Sequence, residues 1–178
     1  MTETQSTQTP TRPLSQERRD LLETLRAHRR FLRTTVQGLT EDQARTRSTP
    51  SELTLGGLIK HVARTESVWA DFVVEGPSSM AAPADADYSD WKDGFRLTEE
   101  ETLAGALARY DAVAARTDEL VETVDLDRSW PLPPQPWFEP GATRSARRVF
   151  THIVAETAQH AGHADIIREA IDGQRTMG

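Results

Sequence analysis

Apolar residues recur along most of this chain at intervals of three and four, the spacing that lines one face of an α-helix. Between Ser15 and Gln37 the positions Leu21, Leu22, Leu25, Phe31, Leu32 and Val36 keep that period, with Ser15 placed as N-cap and Gly38 as a stop. A short helix is expected in LTEDQARTR, opened by the capping box Thr40-x-x-Gln43. Thr54 caps the second long pattern, LGGLIKHVARTESVWADFVVEG, which halts at Gly76-Pro77. There Leu55, Leu58, Val62, Trp69, Phe72 and Val73 share one face, while Lys60, Arg64, Ser67 and Asp71 fall opposite. A third pattern opens with the box Thr98-x-x-Glu101 and carries Leu103, Leu107, Tyr110, Val113, Leu120 and Val124. The fourth is expected to run from a Thr143 cap to Asp172, with Gly173 at the position after the last turn.

No stretch of period-2 alternation competes with these four, so the expected fold is all-α, a four-helix bundle. Two connections, residues 77–97 and 125–142, exceed the roughly 2–8 residues usual between bundle helices and predict crossover links. The second holds Trp130, Trp137 and Phe138 among five prolines. It reads as a rigid loop that packs aromatics onto the bundle end, ahead of the alternative of a lid over a substrate.

The length of 178 residues fits one domain, with residues 1–13 expected as a disordered tail and 14–178 as the bundle. A formal charge of −7 with no basic stripe argues against a nucleic-acid partner. No cysteine is present, which rules out disulfides, protein thiolate ligands and a cysteine nucleophile. Neither a signal peptide nor an apolar run of about 18 residues is legible, so no membrane partner is expected and the cytoplasm is the expected location. Only Lys60 and Lys92 are lysines, and alanine is plentiful, a bias read as that of a GC-rich genome.

Candidate chemistry gathers in the fourth pattern. At about 100° per residue, His152, Glu156, His160 and His163 project within one sector that overlaps Val149, Ile153 and Ile167, and so point toward the expected core. Buried carboxylates and imidazoles need partners or a metal. Glu156 and His160, one turn apart, can share one ion, and catalytic zinc sites commonly use three protein ligands with one position open. His61 borders the apolar face of the second helix, with Thr65 one turn on, and can supply the third. His28, set among charges in RAHRRFLR, reads as a solvated surface residue.

The string HIVAETAQHAGHADIIREAIDG resembles the last helix of the DinB/YfiT-like superfamily of metalloenzymes, and GGLIKHVARTESVW is similar to its second helix. The likeness spans about residues 15–175. It implies a four-helix bundle with two long connections and a divalent metal held by His61, Glu156 and His160, zinc foremost and nickel as an alternative. Glu156 stands where the broader family usually has histidine, a variant shared with the N-terminal domain of mycothiol-dependent maleylpyruvate isomerase. His152 and His163 then become candidates for pocket or ligand-orienting roles. The resemblance further implies a thiol S-transferase, with mycothiol as the small-molecule thiol and an electrophile as second substrate. Isomerase activity is not expected, because the likeness reaches only one domain of that enzyme. A homodimer is expected from the pairing common in the family. The alternative is a non-catalytic metal-binding or stress-response bundle; metal-assisted hydrolysis ranks below both, since a ligating Glu156 is not free to act as base.

Overall fold

A computed structural model describes residues 13–80 and 93–176. The expected tail, apart from Pro13, and residues 81–92 of the first long connection lie outside the described residues. The order is α1 (Gln16–Thr34), α2 (Glu41–Arg45), α3 (Leu55–Glu75), a 3₁₀ turn (Gly76–Met80), α4 (Leu103–Thr123), a ribbon of β1 (Ser129–Pro131) and β2 (Thr143–Ser145), and α5 (Ala146–Asp172). The fold is all-α: α3 packs on both α4 and α5, and α1 on α5. No described helix is long and apolar enough to cross a membrane.

Local signals set most helix ends. Ser15, Thr40 and Thr54 each accept the amide N–H three residues on, and the Thr40/Gln43 box is closed in both directions. Gly173 closes α5 in the left-handed region at φ 78°. Gly76 ends α3 at φ 73°, and a Cβ there would lie 2.8 Å from the Trp130 ring, so glycine serves both the turn and the close approach.

Three ends differ from expectation. α1 stops at Thr34, because the buried Arg168 of α5 donates to the carbonyls of Thr35 (2.8 Å) and Gln37 (2.9 Å) and satisfies the chain end from outside. The Thr98/Glu101 box forms only in part. Glu101 accepts the Thr98 amide at 2.9 Å, but Thr102 caps α4. Thr143 is taken into β2, which pairs antiparallel with β1 in the register Trp130↔Arg144, and the cap of α5 passes to Ser145. The proline-rich loop thus contains a short ribbon that period-2 reasoning did not anticipate.

The core falls into two clusters. One holds Leu32, Leu55, Leu58, Ile59, Val62, Tyr110, Ala164 and Ile167; the other holds Leu22, Leu25, Trp69, Phe72, Val121, Val149, Phe150 and Ile153. Phe31, expected inside, is 37% exposed. An ionic group ties the bundle together: buried Arg29 chelates buried Glu66 and donates to Asp118 at 2.7 Å, and Asp118 also accepts from Arg26 at 2.8 Å. Neither charge is left unpaired, which is the condition for burying them at all.

The segment before α4 is pinned beside α3. Arg45 donates to the carbonyls of Leu97 (2.9 Å) and Thr98 (2.8 Å), and also to that of Glu101. Lys60 donates to the Arg96 carbonyl at 3.2 Å and pairs with Glu101 at 2.7 Å. Residues 95–101 are thereby held one residue from His61.

Candidate metal centre

His61 occupies the second turn of α3, and Glu156 and His160 lie one turn apart in the middle of α5. Because α3 packs on α5, the three side chains converge: one ligand atom from each lies within 4.8 Å of the other two. The rings of His61 and His160 meet edge to face with centroids 4.8 Å apart. Glu156 reaches His160 Nε2 at 3.7 Å with one oxygen and His152 Nε2 at 3.5 Å with the other.

Neighbours hold these groups in place. Phe95 stacks flat on His61, with centroids 4.0 Å apart and 19° between planes, and Thr65 Oγ1 stands 3.5 Å from His61 Nε2. Trp69 meets His152 edge-on at 4.7 Å. His163 Nδ1 lies 3.5 Å from His160 Nδ1, a contact that suits one protonated and one bare nitrogen. Burial, then the neighbouring His160 and Arg64, pushes the His61 pKa down to about 4. Burial likewise lowers His152 and His160, against the opposing pull of the Glu156 carboxylate. Neutral imidazoles are the form that donates a lone pair.

The donor set suits a divalent cation. Bonds of about 2.0–2.2 Å at the tetrahedral angle place donors roughly 3.4 Å apart, so modest side-chain rotation would bring three atoms now within 4.8 Å onto one ion. His152 and His163 do not join the set of three and flank it on either side.

The residues singled out in the sequence are therefore brought together, with one correction. The polar stripe of α5 does not point into the core; His152, Glu156, His160 and His163 are all half-buried. A fully buried line runs through Val149, Ile153, Thr157, Ala164 and Ile167, whose centre sits roughly 60° further round the helix. The stripe thus lies along the border of the core, partly open to solvent. His28 is half-buried, packs edge-on to Phe31 and stays outside the cluster. Sequence reasoning passed over Phe95; the only hint was the Gly56-Gly57 pair, small residues that invite close approach.

Comparison with known proteins gives a family match and a likeness of fold. A family profile described as mycothiol-S-transferase matches residues 20–173. A solved structure described as the conserved protein of a locus from Enterococcus faecalis superposes with a TM-score of 0.66 at 15% identity, covering 88% of this chain and 97% of that one. At that identity the likeness speaks for the fold alone. No curated protein matches the chain. With the profile spanning nearly all of the bundle, and the DinB/YfiT-like architecture found in the helices themselves, this chain belongs to the mycothiol-S-transferase family of the DinB/YfiT-like superfamily.

Proposed function

We propose that this protein is a divalent-metal-dependent transferase that joins the sulfur of a low-molecular-weight thiol of the mycothiol type to an electrophilic carbon, acting in the cytoplasm. The observation that carries the reading is the convergence of three donors from two helices at the border of the core, in a chain of the mycothiol-S-transferase family. His61, Glu156 and His160 would hold the metal. Two imidazoles and a carboxylate favour zinc, with nickel also suited to such a set. A divalent cation bound there would favour the ionised form of a nearby thiol at neutral pH.

The chain's own residues supply the rest. His152 and His163 orient Glu156 and His160 through the contacts at 3.5 Å. Phe95 and Trp69 shield both ends of the cluster from water. In the transfer the sulfur's electron pair forms the new S–C bond and the thiol proton leaves to solvent, with a leaving group such as halide departing where the electrophile carries one. No oxidant is required, and no protein cysteine is consumed.

The second reading is a bundle in which the cluster only stabilises the fold, supported by the contacts of Glu156 with His152 and His160. One experiment separates the two. Protein purified without an affinity tag is analysed for metal, loaded with cobalt, and titrated with mycothiol, followed by a bimane or chloro-dinitrobenzene electrophile. We expect one divalent ion per chain, lost in His61→Ala and His160→Ala, a new near-ultraviolet absorption on thiol addition, and consumption of the thiol, the last two weakened in Glu156→Ala. Cobalt uptake with no spectral response to thiol would leave the non-catalytic reading standing.

A further inference from the structure

Beside the His61 side of the cluster lies a cavity of about 390 Å³, lined by His61, Thr65, Val68, Trp69, Phe95 and Trp137 among others. Its walls are largely aromatic. Phe95 covers His61 on one side. On the other, Trp69 meets Phe138 edge-on at 6.4 Å, and Phe138 meets Trp137 at 6.1 Å. The loop that carries these residues packs its other aromatics: the Trp130 indole donates to the Val73 carbonyl at 3.2 Å, and Phe138 joins the core. Trp137 alone among the three is left 73% exposed, at the rim of the cavity. An indole kept in water forgoes the stabilisation that burial would bring, and its position at a cavity beside the donor cluster suggests what it is kept for.

We infer that this cavity receives the second substrate, and that this substrate is a planar, electron-poor π-system such as an activated arene or a quinone. The inference rests on the transferase reading and names the electrophile for it. The volume suits a small ring system. A carbon that accepts a sulfur electron pair belongs to an electron-poor framework, and the indole faces of Trp69 and Trp137 carry the complementary negative charge. A polyhydroxylated thiol is a poor occupant: among the described lining residues polar groups come from Thr65, Arg64 and His61 and from the indole N–H of Trp69 and Trp137, too few to replace the hydrogen bonds of all its hydroxyls. In the reaction the sulfur pair forms the S–C bond while the π electrons shift onto the electron-withdrawing group. The thiol proton then joins that group in an addition, or leaves with halide in a substitution.

The test uses the intact metal-loaded protein without thiol. Equilibrium dialysis with 1,3-dinitrobenzene, which has no leaving group, should give saturable binding at one site. Trp137→Ala should weaken it by about five- to tenfold, the scale of one aromatic stacking contact. Because the indole is exposed, that variant should melt like the parent. Val68→Trp, which fills the cavity, should abolish binding, and 1,3-dimethoxybenzene, similar in shape but electron-rich, should bind several-fold more weakly. Equal affinity in parent and Trp137→Ala, or equal binding of the two probes, overturns the assignment. In turnover with mycothiol, Trp137→Ala should raise KM for chloro-dinitrobenzene by a larger factor than for iodoacetamide; equal factors overturn the cavity assignment alone. Dinitrobenzene binding as expected without any thiol consumption would instead sink the transferase reading and leave the aromatic site intact.

Discussion

Gly57 runs so close beneath Phe95 that a Cβ built on it would lie 1.9 Å from the Phe95 carbonyl oxygen. That approach, on the turn of α3 preceding His61, is what lets the Phe95 ring lie on the imidazole. The obstacle is backbone, so no rotamer change relieves it.

Gly57→Ala should therefore force α3 and the 95–101 segment apart. Overpacking of this kind costs about 1–3 kcal/mol. Chemical denaturation should show that loss, and metal titration should show weaker uptake as Phe95 leaves His61. A variant as stable as the parent, with unchanged metal affinity, would refute the account.

The Arg29–Glu66 pair makes a separate prediction. Glu66→Leu alone should destabilise by at most roughly 3–5 kcal/mol, because it removes the buried partner of the Arg29 guanidinium and leaves it only the partly exposed Asp118. The double variant Arg29→Met/Glu66→Leu should recover most of that loss. If the double variant is worse than the single, the ion pair is stabilising in itself rather than through the penalty of breaking it.

Removal of bound metal should lower the melting temperature without unfolding the chain at room temperature, since both core clusters are assembled by apolar packing alone. The loss follows mass action, about 2.7 kcal/mol at a hundredfold excess of metal over the dissociation constant. Calorimetry before and after chelation measures it. A chain that unfolds on chelation would mean that the site, not the core, holds the bundle.

The metal-free protein should lose stability in acid through His61. Its folded pKa, about 4, lies below the reference value of 6.5, so between those values the unfolded chain binds the extra proton. Stability thus rises with pH across this window and falls as pH drops from 6.5 toward 4. His152 and His160, shifted in the same direction by burial, add to the slope. His61→Phe should flatten it, as read from melting temperatures across the range; an unchanged slope would show that His61 is already protonated in the fold.

What the sequence by itself determined about this chain is what a few neighbouring residues can decide. The caps Ser15, Thr40 and Thr54 and the stop at Gly173 work within one helical turn, where the donor and acceptor are separated by a fixed geometry. The Glu156/His160 pair belongs to the same class, since positions four apart on a helix are neighbours whatever surrounds them. Tertiary structure decided the rest. Thr143 and Ser145 are both good caps, and only the pairing of β1 with β2 selects between them. Arg29 is 37 residues from Glu66 and 89 from Asp118, and its burial depends on which helices lie adjacent and how each is rotated. The rotation of α5 is likewise why its polar stripe lies at the border of the core rather than inside it. His61 reaches Glu156 and His160 only because α3 packs on α5, and Phe95 reaches His61 only because Arg45 and Lys60 anchor its segment and Gly57 leaves room. Periodicity shows that a helix has an inward face; which groups of other helices that face meets is set by packing, which no local pattern encodes.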